Sequence, residues 1–217
     1  MVLFACLFTT AIAASAQTKT YIQKGFTLNF TNTDSTIDSV TYLRWINTFF
    51  EIYPKEAAKY NEQTNKVVFM IIDTAYKGVA ATGNAHIRIN PTWIHQHPED
   101  IDVVTHEAMH IVQSYGRSVG PGWLTEGIAD YVRNEFGVNN AAAKWTLGEY
   151  KAGQNYTNSY RITAHFLLWA DKKVKPGLVK ELDKQLRDHT YTADTWKQQT
   201  NKTLDELWQD YVSNPAI

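Results

Sequence analysis

Disulfide cross-linking within the chain is excluded at once, because its 217 residues hold a single cysteine, Cys6. Charge of one sign is lacking too. The 21 lysines and arginines are balanced by 22 aspartates and glutamates, for a formal net charge of −1. With no basic block, the chain is a poor nucleic-acid binder, since neutralising phosphates takes clustered cations. No apolar run reaches the roughly 18 residues that a membrane-spanning helix needs. Internal repeats and low-complexity linkers are missing as well, which removes solenoids and tethered arrays. What is present is 44% hydrophobic and 20% charged, enough apolar surface for a packed core in one domain.

The first 16 residues stand apart from the rest. Met1 to Ala16 has no charged residue, a largely apolar stretch from Val2 to Ala14, and the small-x-small ending Ala14-Ser15-Ala16. A signal peptidase accepts that ending, so residues 1–16 are expected to be a signal peptide and the protein to be secreted or periplasmic. Cys6 would leave with the leader, and the exported remainder would rely on its core or on a metal.

Along 17–217 the pattern runs from strands to helices. Residues 25–31 alternate with Phe26, Leu28 and Phe30 on one face, as in a half-buried strand. Asp38 can cap a helix reaching about Tyr53, where Pro54 is expected to interrupt it. The apolar run 67–73 reads as an interior strand, and 83–90 as a more exposed one. From Pro98 onward the chain turns helical: one helix from Pro98 to Gly116, a second from Pro121 to Gly137, and a third from about Ser159 to Val174. Thr203 and Glu206 form a capping box before the last helix. This is an α+β arrangement, with a strand-rich lobe over about 17–116 and a helical lobe over 117–217.

The sharpest signal is His106-Glu107-Ala108-Met109-His110. Histidines at i and i+4 project from one helix face about one turn apart, so both imidazoles can reach one ion. The glutamate between them is placed to take a proton from water at that ion rather than to bind it. Ile101, Val104, Ala108, Ile111 and Val112 make the helix amphipathic, so the two histidines do not project freely into water. A catalytic zinc takes three protein ligands and keeps one position open. Glu126 on the next helix is the third candidate. Asp130, one turn further on the same face, can accept from the free ring nitrogen of a ligand histidine. His86, His95, His97, His165 and His189 read as ordinary surface or core histidines. Trp93 and Trp123 are candidates to line a cleft.

The stretch from His106 to Arg133, HEAMHIVQSYGRSVGPGWLTEGIADYVR, resembles the basic secretory protein family of plant and bacterial metallopeptidases. The similarity continues through 159–167 and 207–211, and more weakly upstream at 78–80 and 87–89. The resemblance implies a gluzincin-type, zincin-like α+β fold: a small mixed sheet, an active-site helix and a helical C-terminal lobe. It implies one zinc held by His106, His110 and Glu126, with Glu107 as general base and Asp130 orienting a ligand histidine. The family is basic by name and this chain is not, so ideas about targets drawn from charge do not carry over.

The function expected is therefore a secreted zinc peptidase acting on a peptide or protein, and an endopeptidase, because no residue group announces recognition of a free amino terminus. Tyr160, at the start of the third helix, is the expected donor to the oxyanion, with Tyr156 and His165 as rivals. The exposed strand Ala85 to Asn90 is the expected edge for an extended substrate. The alternative from another class is a non-catalytic exported binding domain that keeps zinc as a staple; Glu107 argues against it, because a staple needs no base.

Overall fold

In the computed structural model, residues 17–116 and 120–217 are described, so the signal-peptide expectation for 1–16 lies outside the described residues. Those residues form five strands and eight helices. In order they are β1 (Thr18–Gln23), β2 (Phe26–Asn32), α1 (Ser39–Tyr60), β3 (Val67–Ile72), β4 (Ala80–Gly83), β5 (His86–Ile89), α2 (Pro91–Gln96), α3 (Val103–Gln113), α4 (Gly122–Phe136), α5 (Tyr160–Lys173), α6 (Leu178–Arg187), α7 (Thr195–Thr200) and α8 (Leu204–Ser213). The sheet order is β1-β2-β3-β5-β4. The two central pairings, β2–β3 and β3–β5, are parallel, and the outer two, β1–β2 and β5–β4, are antiparallel.

One face of this sheet is covered. Leu28, Phe30, Met70, Ile72, Ile87 and Ile89 are buried against helices α1 and α3. The opposite face is open, and there Val67 and Phe69 are 45% and 41% exposed. The run 67–73 is thus interior in strand order but buried on one side only. Phe69 shields itself by stacking on His86, with ring centroids 4.5 Å apart.

Three boundaries differ from those expected of the sequence, each for a local reason. Helix α1 continues through Pro54 to Tyr60. Proline has no N–H for the carbonyl of residue 50, and Lys24 Nζ supplies that donor instead, 3.0 Å from the Phe50 oxygen. The segment 83–90 is the turn and second arm of a hairpin rather than one strand, because Asn84 and Ala85 both take positive φ (51° and 60°). Helix α3 begins at Val103, not Pro98. The acidic residues before it serve elsewhere: Asp102 accepts from the Val138 and Asn139 amides at 2.9 and 2.6 Å, and Asp100 pairs with Arg133.

The helical second half matches its signals closely. Helix α4 starts after Pro121 and ends at Gly137, and α5 runs Tyr160–Lys173. Both halves of the Thr203–Glu206 capping box form at α8. Helices α4 and α5 come very close at Gly127, where a Cβ would lie 2.3 Å from Thr163 Cγ2. Behind them Phe166, Trp169, Trp196, Trp208 and Tyr211 build an aromatic core.

Candidate metal centre and cleft

Helix α3 lies between the covered face of the sheet and α4, so its His-Glu-x-x-His face looks into a cleft of about 1700 Å³. The i, i+4 spacing sets the two imidazoles edge to face, with ring centroids 4.8 Å apart and planes at 84°. Their Nε2 atoms are 3.1 Å from each other. Glu126 Oε2, from the facing helix α4, sits 3.1 Å from His106 Nε2 and 3.6 Å from His110 Nε2. Among the described residues these three form the group able to hold a metal ion, their donor atoms all within 4.8 Å of one another.

The outer ring nitrogens fix what the inner ones offer. His106 Nδ1 is 2.7 Å from Asp130 Oδ1, a carboxylate oxygen that accepts. His110 Nδ1 is 2.7 Å from Gln113 Oε1, whose amide nitrogen in turn donates to the Thr125 carbonyl at 2.9 Å. Both Nδ1 atoms therefore donate, and each ring, when neutral, presents an Nε2 lone pair to the centre. Two imidazole lone pairs and a carboxylate then converge on one point, an arrangement that repels itself unless a cation lies among them.

The electrostatics point the same way. Burial works to lower the pKa of His106, but hydrogen bonds to Asp130 and Glu126 outweigh it and raise it to about 10. Burial works to raise that of Glu126, yet the two histidines hold its carboxyl well below the usual range. Positive charge is demanded here, by protons or by a metal. The donor set of two nitrogens and one carboxylate oxygen fits zinc.

Glu107 is buried beside this cluster and lines the cleft. Its Oε2 accepts from the Thr82 hydroxyl of β4 at 2.7 Å. Tyr160 also lines the cleft, 55% exposed, with its ring centroid 6.1 Å from that of His106. The charge of Glu126, then burial, raises its phenol pKa, so the hydroxyl keeps its proton. Ser159 and Tyr160 both have positive φ, 69° and 47°, a conformation that side chains rarely adopt. The rivals point elsewhere: Tyr156 donates to Asp205 at 2.8 Å, and His165 Nδ1 lies 2.7 Å from the Tyr211 hydroxyl.

Trp93 lines the cleft, whereas Trp123 packs instead against Tyr156 at 5.1 Å. Gln113 and Thr82 join the site beyond the residues expected of the sequence. Gln113 had a usable signal, three residues past His110 on one helix face. Thr82 had none, because only the register of β4 brings it to α3. The expected substrate edge also moves by one strand: β5 lies between β3 and β4, so β4 is the edge beside the cleft.

The family described as "BSP: Peptidase of plants and bacteria" matches residues 10–211 of the sequence. No curated protein matches the chain. Among solved structures, a mutant of a two-domain M1 zinc metallopeptidase bound to L-tryptophan is similar at 12% identity and a TM-score of 0.51, covering 94% of this chain and 52% of that one. The M1 zinc metallopeptidase of Deinococcus radiodurans is similar at the same identity and TM-score, covering 93% and 52%. The chain thus spans about half the length of these structures, and at such identity the likeness concerns the fold.

Proposed function

The chain belongs to the family of peptidases of plants and bacteria, and from that premise we propose that it is an exported, zinc-dependent endopeptidase with a zincin-like fold, forming one domain over 17–217. The observation that carries the metal is the convergence of His106 Nε2, His110 Nε2 and Glu126 Oε2, two imidazole nitrogens and a carboxylate oxygen within reach of one ion. One zinc per chain held there supplies Lewis acidity, bringing the pKa of a water molecule down towards about 7.

The chain's own groups do the rest. Glu107 accepts the proton of the attacking water and later passes it to the leaving amine. The Tyr160 hydroxyl donates to the carbonyl oxygen as negative charge develops on it. Asp130 and Gln113 hold the two imidazoles in the tautomer that keeps Nε2 free. An extended peptide pairs with the outer edge of β4, which reads main chain more than side chains. Trp93 and Trp145 line the same cleft as the three ligands.

The deciding experiment pairs metal analysis with digestion of a peptide library. Wild type should hold about one zinc and cleave internal bonds, and a chelator should abolish cleavage and lower Tm. Glu107→Gln should keep the zinc and lose several orders of magnitude in rate. A wild type that binds zinc but cleaves nothing would turn the reading to a zinc-stapled binding domain.

A further inference from the structure

The hairpin of β4 and β5 fixes which way each residue of the edge strand faces. The Asn90 amide donates to the Val79 carbonyl at 3.0 Å, so these two, directly opposite, form a hydrogen-bonded pair. Hydrogen-bonded and non-hydrogen-bonded pairs alternate in an antiparallel ladder. Ala81–Arg88 and Gly83–His86 are then hydrogen-bonded pairs, while Ala80–Ile89 and Thr82–Ile87 are not. Main-chain groups in a non-hydrogen-bonded pair point away from the partner strand. On β5 this holds, because the Ile89 carbonyl accepts at 2.9 Å from the amide of Asp73, the residue directly after β3 on its far side. On β4 it directs the N–H and C=O of Thr82 to the outer edge of the sheet, beside the cleft.

The side chain of Thr82 shares a face with that of Ile87, which is fully buried towards the helices. Its hydroxyl therefore meets α3, 2.7 Å from Glu107 Oε2 and 3.1 Å from the Glu107 carbonyl oxygen. The hydroxyl has one hydrogen, and the nearer, charged oxygen takes it. Oε1 of Glu107 makes no hydrogen bond among the described residues and is left to handle the proton. One residue thus touches the substrate edge through its main chain and the base through its side chain.

Resting on the peptidase reading above, we propose that Thr82 is a positioning residue that couples substrate pairing to the base: an extended peptide paired to its N–H and C=O seats β4, and the seated hydroxyl holds Glu107 with Oε1 turned to the attacking water. The substrate class this selects is a peptide in extended conformation, with an unsubstituted amide opposite Thr82. A helical segment, or one N-methylated at that amide, cannot make the pairing.

The test compares wild type, Thr82→Val and Thr82→Ser. Valine keeps the shape and main chain but removes the donor, so KM, zinc content and Tm hold while kcat falls by roughly 10- to 100-fold, the scale expected for a misplaced catalytic group. Serine restores most of kcat. Calorimetry with an uncleavable extended peptide should give wild type and Thr82→Val the same affinity, and N-methylation opposite Thr82 should abolish binding to both. An unchanged kcat in Thr82→Val, or a loss that serine does not rescue or that comes with zinc loss, overturns the coupling alone. A wild type without zinc-dependent cleavage overturns the peptidase reading and the coupling together.

Discussion

His106 Nδ1 stands 2.7 Å from Asp130 Oδ1, and both side chains are buried. A buried carboxylate on that nitrogen keeps the proton on Nδ1 and adds negative charge behind the ring, making Nε2 a better ligand. Asp130→Asn keeps the shape and one acceptor but removes the charge. Zinc affinity should fall roughly 10- to 100-fold in a metal-competition titration, with far-ultraviolet circular dichroism unchanged. An unaltered affinity would make Asp130 a structural partner only.

Gly127 lies next to Glu126, and its missing Cβ is what lets α4 approach α5. Gly127→Ala would place a methyl 2.3 Å from Thr163 Cγ2, and overpacking of that kind costs about 1–3 kcal/mol. Helix α5 opens at Tyr160, so a shift of this seam moves the phenol away from His106. The expected outcome is a lower Tm together with a lower kcat. Adding Thr163→Ser should recover part of both, because it deletes Cγ2 and keeps the hydroxyl that donates to the Tyr156 carbonyl. Additive losses in the double variant would sink the seam explanation.

What the sequence disclosed follows from the range of the interactions. His106, Glu107, His110, Glu126 and Asp130 come from two helices whose faces the i, i+4 spacing sets, and α4 and α8 announce themselves through Pro121 and the Thr203 capping box. Strand β1 stayed hidden because its six residues are mostly exposed on both faces, leaving no alternation to read. Pro54 misled because its compensating donor, Lys24, lies 30 residues earlier. The Asn84-Ala85 turn carries no glycine to mark its two positive φ angles. Thr82 meets Glu107 only through tertiary register, which no local pattern encodes.

Glu56, on α1, is fully buried, and among the described residues neither of its carboxyl oxygens is hydrogen-bonded. Burial, against an opposing pull from His106, pushes its pKa well above the usual 4.5. A carboxyl that keeps its proton longer when folded loses that proton on unfolding, so it subtracts stability as pH rises above about 4.5. Glu56→Met removes both the orphaned polar group and this slope. The variant should be more stable by about 1–3 kcal/mol, and by more at pH 8 than at pH 5, in urea unfolding. A stability difference that is the same at both pH values would mean that the folded Glu56 carboxyl is already ionised at pH 5 and that burial does not raise its pKa.

Ser159 and Tyr160 hold consecutive positive φ angles at the mouth of the cleft, and backbone strain of that kind costs on the order of 1–3 kcal/mol per residue. Surrounding structure sustains it: Asn155 and Asn158 cap the turn before it, and Thr163 ties α5 back to Tyr156. The strained turn leaves the Tyr160 ring in the cleft, near-parallel to His106 at 22°. Its raised pKa keeps the phenol a donor through neutral pH. Tyr160→Phe removes that donor and almost no volume, so zinc content and KM should hold while kcat falls roughly 10²-fold. Ser159→Gly relieves the strain without touching the phenol, and should raise Tm while lowering kcat, because the ring is no longer held in place. If Tyr160→Phe keeps full kcat, the hydroxyl does not meet the oxyanion and the strained turn serves packing alone.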